Sequence, residues 1–266
     1  MAPRPPAASM AQWGRSLAGT VVLGLTACGA PVPVDPQVCG DSQLSKVSLP
    51  SRVSRLSEVG SLWQCGPTLD FTPINSYRGG FADVQDREDA VALIDGRCTG
   101  TLIEASTGPV LLTAGHCVGL GDEALLVFNF EDNADGDPLV TKGKVIEQSL
   151  DPDYALIRLD VLPAVTPVLL TSQASERLAI IQHPRGRRKV IAEGRYLDSC
   201  NQLIYYADLD TLVGSSGAGI LNRQGHLLGV HTDGDCDERG GANRGWTAQV
   251  IVEASPYLEG TDIAER

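Results

Sequence analysis

The sequence predicts an all-β fold, and three observations lead there. From Ala90 onward, short runs rich in β-branched and apolar residues recur at roughly regular spacing, each broken by Gly, Pro or acidic clusters. Turn formers are abundant, with 29 Gly and 16 Pro in 266 residues, which favours strands and turns over long helices. Hydrophobic residues make up 42% of the chain, enough to fill a core at this length.

The first residues are not read as fold. Arg4 and Arg15 precede an apolar run from Leu17 to Leu25 that is too short to span a bilayer and suits a signal peptide over residues 1–27. The run ends in Leu25-Thr26-Ala27-Cys28, which resembles the bacterial lipobox and implies a lipidated Cys28. The alternative is an ordinary secretory signal with an incidental cysteine. Residues 28 to about 45, with Pro31, Pro33 and Pro36, read as a tether. Residues 46–80 carry Pro50, Pro67, Pro73 and Gly79-Gly80, and suit a pro-segment or a strapping extension pinned by Cys39 and Cys65.

Strands are then expected at Val91–Ile94, Thr99–Ile103, Val110–Thr113, Ala124–Phe130 and Tyr154–Leu159, with a surface loop at Asp132–Asp137. A second series covers Ala179–Gln182, Val190–Ala192, Leu203–Ala207, Gly219–Leu221, Leu227–His231 and Trp246–Val252. Glu253–Leu258 offers a short terminal helix. The pattern alone implies a sandwich or a barrel and is silent on topology.

The formal charge of −12 would repel nucleic acid and anionic lipid, so neither is an expected partner, and a lipid on Cys28 would be the only membrane contact. Seven cysteines leave six once Cys28 is set aside: Cys39, Cys65, Cys98, Cys117, Cys200 and Cys236. An even set permits 15 pairings and fits export. The four histidines are scattered, so no metal set and no cofactor motif is read.

Three segments carry chemistry. Thr113-Ala114-Gly115-His116-Cys117 offers a base. Asp153, immediately before a hydrophobic-Ala-Leu run, offers an orienting carboxylate, while Asp151 beside Pro152 reads as a turn residue. Gly214-Ser215-Ser216-Gly217 offers a nucleophile in Ser216, with Gly214 allowing its own amide and that of Ser216 to converge on an oxyanion. Ser215 is the competing hydroxyl, and the register of Gly214 and Gly217 favours Ser216. A hydroxyl, a base of pKa near 7 and an anion that orients it suit nucleophilic acyl transfer. A G-x-S-x-G elbow is not met, because position 218 is Ala.

In the order His, Asp, Ser these motifs resemble the chymotrypsin superfamily of serine peptidases. Cys98-Thr99-Gly100-Thr101-Leu102-Ile103, Gln182-His183-Pro184-Arg185-Gly186, Asp210-Thr211 ahead of Gly214-Ser215-Ser216-Gly217, and Ala242-Asn243-Arg244-Gly245 look like its V8-like glutamyl-endopeptidase branch. The resemblance covers roughly residues 90–250. It implies a peptidase domain over residues 81–266 made of two six-stranded antiparallel β-barrels, about 81–165 and 166–258, with the active site in the cleft between them. It also implies a Cys98–Cys117 bridge, leaving Cys200–Cys236 and Cys39–Cys65 as the remaining pairs.

The function implied is an exported serine endopeptidase acting on protein or peptide substrates as a monomer, anchored to the bacterial envelope by lipid or secreted if the tether is cut. In glutamyl endopeptidases a Thr and a His bind the substrate carboxylate, at positions that fall on Thr211 and His231. Asp210 lies where trypsin-like members place a specificity aspartate, so a preference for Glu/Asp before the cut competes with one for Lys/Arg. Asp233 and Asp235 follow His231, and carboxylates pointing into the pocket would repel Glu and attract Lys or Arg; the alternative for Asp210 is a hydrogen-bonded structural residue facing away. Two departures stand out: Ala218-Gly219 replaces the family's Ser-Pro or Gly-Pro, and Ser215 replaces the Asp that in animal members pairs with a freed N-terminal amine. A catalytically silent binding protein on the same fold is the alternative class. Arg185, Arg187, Arg188 and Lys189 read as a solvated loop, or secondarily as an autolysis site or exosite.

Overall fold

Alternation builds the first barrel. In Glu123–Phe128 the side chains of Ala124, Leu126 and Phe128 are buried while Glu123 and Leu125 face out, the period of two that half-buried strands require. In the computed structural model, which describes residues 64–237 and 240–265, six strands close into this barrel. They are β1 (Val91–Ile94), β2 (Cys98–Ile103), β3 (Val110–Thr113), β4 (Glu123–Phe128), β5 (Leu139–Leu150) and β6 (Asp153–Leu159), in the order β1-β2-β3-β6-β5-β4. Six more form a second barrel: β7 (Arg177–Gln182), β8 (Val190–Cys200), β9 (Leu203–Ala207), β10 (Gly219–Leu221), β11 (Leu227–Asp233) and β12 (Asn243–Thr247). Its order, β7-β8-β9-β12-β11-β10, repeats that of the first, and antiparallel pairing of β10 with both β7 and β11 closes it. The fold is therefore the expected pair of six-stranded antiparallel barrels. The expected signal peptide, Cys28, Cys39, the tether and residues 46–63 of the segment after it lie outside the described residues.

The second barrel has its own apolar interior, including Leu178, Ile180, Ile204, Tyr206 and Ile220. A larger cluster joins the first barrel to residues of the second such as Ile181, Leu227 and Val230. Each such Leu or Ile contributes about 1.5–3 kcal/mol on burial, and this shared core holds the two barrels in register.

The run Trp246–Val252 is not one strand. After β12 the chain turns into α1 (Ala248–Ala254), because Thr247 in extended conformation accepts the Val250 amide on its hydroxyl and so caps a helix whose Ala248, Val250 and Ile251 are buried. A 3₁₀ turn at Pro256–Leu258 follows.

Residues 64–90 strap onto the barrels. Thr72–Pro73 pairs with Val190 and Ile191 of β8, and Tyr77 donates its hydroxyl to Glu193 at 2.8 Å while accepting the Phe81 amide at 2.9 Å. The Arg223 guanidinium covers the buried Phe81 ring 4.6 Å from its centroid. At the end of the strap Glu88 meets Lys189, which is fully buried and not part of a solvated loop. Lys189 Nζ also lies 2.7 Å from Glu131 Oε2 and donates to the Glu88 carbonyl at 2.8 Å. A cation taken wholly out of water needs such partners, and the strap and the β4–β5 loop supply them.

The disulfides correct one expectation. Cys98 and Cys117 are bonded as the resemblance implied, but Cys65 pairs with Cys236, so the pairs Cys39–Cys65 and Cys200–Cys236 do not form. The strap brings Cys65 to the loop after β11, with Cα atoms 4.7 Å apart, a long-range contact that cysteine counting cannot see. Cys200 is also disulfide-bonded.

Candidate active site

His116 lies in a 3₁₀ turn, Gly115–Cys117, directly after β3. Gly115 is required there, because a Cβ would lie 1.8 Å from the Ser149 carbonyl oxygen and 3.0 Å from Asp153 Oδ1. The turn sets His116 against the first residue of β6. Asp153 Oδ1 accepts the His116 amide at 2.9 Å, and Oδ2 lies 2.6 Å from His116 Nδ1. An ionised carboxylate only accepts, so Nδ1 carries the proton and Nε2 keeps its lone pair. The hydrogen bond to Asp153 raises the His116 pKa above its ordinary value, against the opposing effect of burial. Asp151 takes the other role: its amide donates to the Ser149 hydroxyl in the turn before β6.

Ser216 comes from the second barrel, in the turn before β10. Its neighbour Ser215 is fully buried, with its hydroxyl accepting the Leu212 amide at 2.9 Å, so the competing hydroxyl is occupied. Gly214 holds φ at +99°, and a Cβ there would lie 2.7 Å from the His183 carbonyl oxygen and 2.8 Å from the Arg185 nitrogen. Among the described residues the amides of Gly214 and Ser216 donate to nothing, while those of Ser215, Gly217 and Ala218 are all bonded. Two adjacent free donors beside a serine are what a developing oxyanion requires.

His116 and Ser216 line one cleft of about 290 Å³, together with Leu212, His231, Thr232, Asp233 and Gly234. The His116 ring and the Ser216 hydroxyl are not hydrogen-bonded to each other. Such contacts are often long without substrate and tighten when it binds.

The trypsin-like peptidase domain profile matches residues 98–230, half of the chain. The chain belongs to this family. No protein of curated function matches its sequence. Among solved structures, that of Deg5 superposes with a TM-score of 0.54 at 19% identity, over 67% of this chain and 93% of that one. An inactive form of the Rv3671c protease of M. tuberculosis gives 0.51 at 17% identity, over 70% and 96%. The serine endoprotease from Yersinia pestis gives 0.53 at 13%, over 66% and 65%. At these identities the superpositions show the fold alone.

Within this trypsin-like domain the three residues expected at the specificity pocket are placed differently from one another. His231 lines the cleft, and its Nδ1 lies within hydrogen-bonding distance of the buried Tyr206 hydroxyl. Burial lowers the His231 pKa to about 4, so the ring is neutral near pH 7. Thr211 is buried, and its hydroxyl has no partner among the described residues. Asp210 is not among the cleft residues. Its carboxylate accepts the Cys65 amide at 2.7 Å and the Asp70 amide at 2.5 Å, tying down the strap. Asp210 as a substrate-binding aspartate is thus corrected: both of its oxygens are already bound to backbone.

Sequence reasoning did not single out Tyr206 or Thr99; of the two acids it weighed after His231, Asp233 lines the cleft and Asp235 is not among its lining residues. Tyr206 sits in an uninterrupted apolar strand, where nothing local distinguishes a core tyrosine from one that bonds a histidine.

Proposed function

We propose that the chain is a serine endopeptidase with His116, Asp153 and Ser216 as its triad. The observation that carries this reading is that His116, bonded to Asp153, lines the same cleft as Ser216, and that the Gly214 and Ser216 amides are unpaired among the described residues. Ser216 Oγ attacks the scissile carbonyl carbon as His116 Nε2 takes its proton, and the Gly214 and Ser216 amides bind the resulting oxyanion. His116 then gives the proton to the leaving amine, freeing it and leaving an ester on Ser216. Water, deprotonated by the same nitrogen, hydrolyses the ester. Asp153 keeps Nδ1 protonated throughout and stabilises the imidazolium.

For the residue before the cut, the proposed preference is Glu or Asp, in keeping with the V8-like resemblance. The Tyr206 hydroxyl, held protonated by burial, donates to His231 Nδ1 and so places the ring hydrogen on Nε2, and the ring also bonds the Arg244 backbone. That neutral N–H suits a carboxylate oxygen. A preference for Lys or Arg is the second reading, favoured by Asp233 in the cleft lining. Arg244 engages both Asp233 at 3.5 Å and Asp235 at 2.9 Å, leaving one cation to offset two carboxylates.

Export with a lipid on Cys28 and action as a monomer complete the proposal. The described disulfides support an oxidising compartment. Labelling by a fluorophosphonate probe, lost in Ser216→Ala, tests the chemistry, and an unlabelled wild-type protein would point to a silent binding protein. An internally quenched peptide library reads the preference directly, and detergent-phase partition of the full chain against Cys28→Ala reads the anchor.

A further inference from the structure

Thr99, the second residue of β2, is fully buried, and each of its polar atoms is bonded to the nucleophile loop or to what backs it. Its amide donates to the Ser216 carbonyl at 2.9 Å. Its hydroxyl donates to the Gly214 carbonyl at 2.8 Å and accepts the His183 amide at 3.0 Å. Its carbonyl accepts the Thr113 hydroxyl at 2.7 Å. The first-barrel strand therefore holds the carbonyls of the two residues whose own amides are free.

The two free amides belong to the peptides 213–214 and 215–216. The Arg185 amide holds the Val213 carbonyl of the first, and the Ala218 amide holds the Ser215 carbonyl of the second. That leaves the far side of Gly214 and of Ser216 to be fixed, and Thr99 bonds there. Gly214 needs this most, since a residue without Cβ at φ +99° swivels at little cost. The same packing explains Gly217, where a Cβ would lie 2.1 Å from Thr113 Oγ1 and 2.2 Å from the Thr99 carbonyl oxygen. Thr99 also follows Cys98, whose disulfide ends at Cys117 next to His116.

We propose that Thr99 is a positioning residue for the oxyanion site: its hydroxyl and amide fix Gly214 and Ser216 so that both free amides face the cleft, registering the first barrel's base against the second barrel's nucleophile. This rests on the peptidase reading above. Thr99→Val keeps the shape and removes the hydroxyl, and Thr99→Ser keeps the hydroxyl.

The test uses the full chain, an internally quenched peptide taken from the library, a peptide boronic acid of the same sequence as transition-state mimic, and the cleaved product peptide as ground-state ligand. For Thr99→Val, kcat should fall about tenfold to a hundredfold, less than the 10²–10³ lost when an oxyanion donor is deleted outright. KM and product affinity should stay within about twofold, the boronate should weaken by the same factor as kcat, and Thr99→Ser should return to within a few-fold of wild type. Thr99→Ala removes the same hydroxyl and carries the measurement where the valine variant does not fold. Wild-type kcat in the hydroxyl-less variants, or equal losses of boronate and product binding, would overturn the assignment. A wild-type protein that neither cleaves nor is labelled would instead refute the peptidase reading, and the positioning role with it.

Discussion

Gly214 and Gly108 form a matched pair for testing how the proposed oxyanion loop depends on one missing side chain. Their backbone angles are almost the same, with φ at +99° and +102°. A Cβ on Gly108 would meet nothing within 4 Å, whereas one on Gly214 would press on the His183 carbonyl oxygen and the Arg185 nitrogen at 2.7 and 2.8 Å. Both neighbours of Gly214 are backbone atoms, so the contact is relieved only by moving the loop. Gly108→Ala therefore costs the conformational strain alone, about 1–3 kcal/mol. At this chain length that lowers the melting temperature by roughly 2–4 °C per kcal/mol, and kcat should stay at wild type. Gly214→Ala carries the same strain plus the displacement, so it should melt lower than Gly108→Ala and lose about 10²–10³ in kcat as its amide leaves the cleft. Thermal melts and steady-state kinetics on the library peptide measure both. If Gly214→Ala matched Gly108→Ala in both melting temperature and kcat, the close approach would have no consequence and the reasoning about the loop would fail.

The acidic limb of the kcat/KM–pH profile should lie above the ordinary imidazole value, because Asp153 raises the His116 pKa and activity is lost as that ring is protonated. Asp153→Asn should move the limb to lower pH and cut kcat by about 10⁴, read by stopped-point assays across pH. Any stabilisation from the charged His116–Asp153 pair is full at pH values below the unfolded imidazole pKa and is lost as pH rises through the folded one. Lys189→Met should destabilise by about 3–5 kcal/mol, since it strands Glu88 and Glu131 without their cation; chemical denaturation measures it, and a loss below about 1 kcal/mol would refute the role of the pair. Burial raises the Glu88 pKa to about 7, so its contribution to stability is full below the ordinary carboxyl range and disappears as pH rises through about 7. Glu88→Gln should flatten stability over that window. Tyr206→Phe removes the donor that fixes the His231 tautomer, and should reduce discrimination between Glu and Gln peptides about tenfold while fluorophosphonate labelling stays unchanged.

What the sequence reveals and what it hides divide along the range of the contact. The His116 turn, Asp153 at the head of its strand and the glycines around Ser216 were legible because each is a local demand: a turn that admits no Cβ, a strand start, a φ open to glycine. The barrels were legible as strands but not as closed sheets, since pairings such as β3 with β6 join segments far apart in sequence. Everything missed is also long-range. Asp210 looked like a pocket aspartate because it falls where trypsin-like members place theirs, and only the strap, folded back from Cys65 and Asp70, reveals its carboxylate as a cradle for amides. Lys189 read as solvated beside three arginines, yet Glu88 and Glu131 enclose it from two distant segments. A strand-like Val250-Ile251-Val252 became helix because one threonine hydroxyl upstream captured an amide.

The loop around Ser216 is held by neutral bonds, and that bears on how the proposed site is assembled. Where animal relatives place an aspartate that pairs with a freed N-terminal amine, Ser215 closes the turn onto its own backbone: its hydroxyl accepts the Leu212 amide, and its amide donates to the Leu212 carbonyl, both at 2.9 Å. The Gly217 amide to the His231 carbonyl at 2.8 Å and the Thr99 contacts complete the frame. None of these partners titrates near neutral pH, and none needs a new chain terminus. The segment before the barrels still reaches this loop, but with the polarity reversed. The carboxylate belongs to the body, at Asp210, and the strap contributes two backbone amides in place of one amine. Amides exist before any cleavage, so the strap's grip on the residues leading to Ser216 is built when the chain folds, and the Cys65–Cys236 bond fastens it to the loop that ends at the cleft.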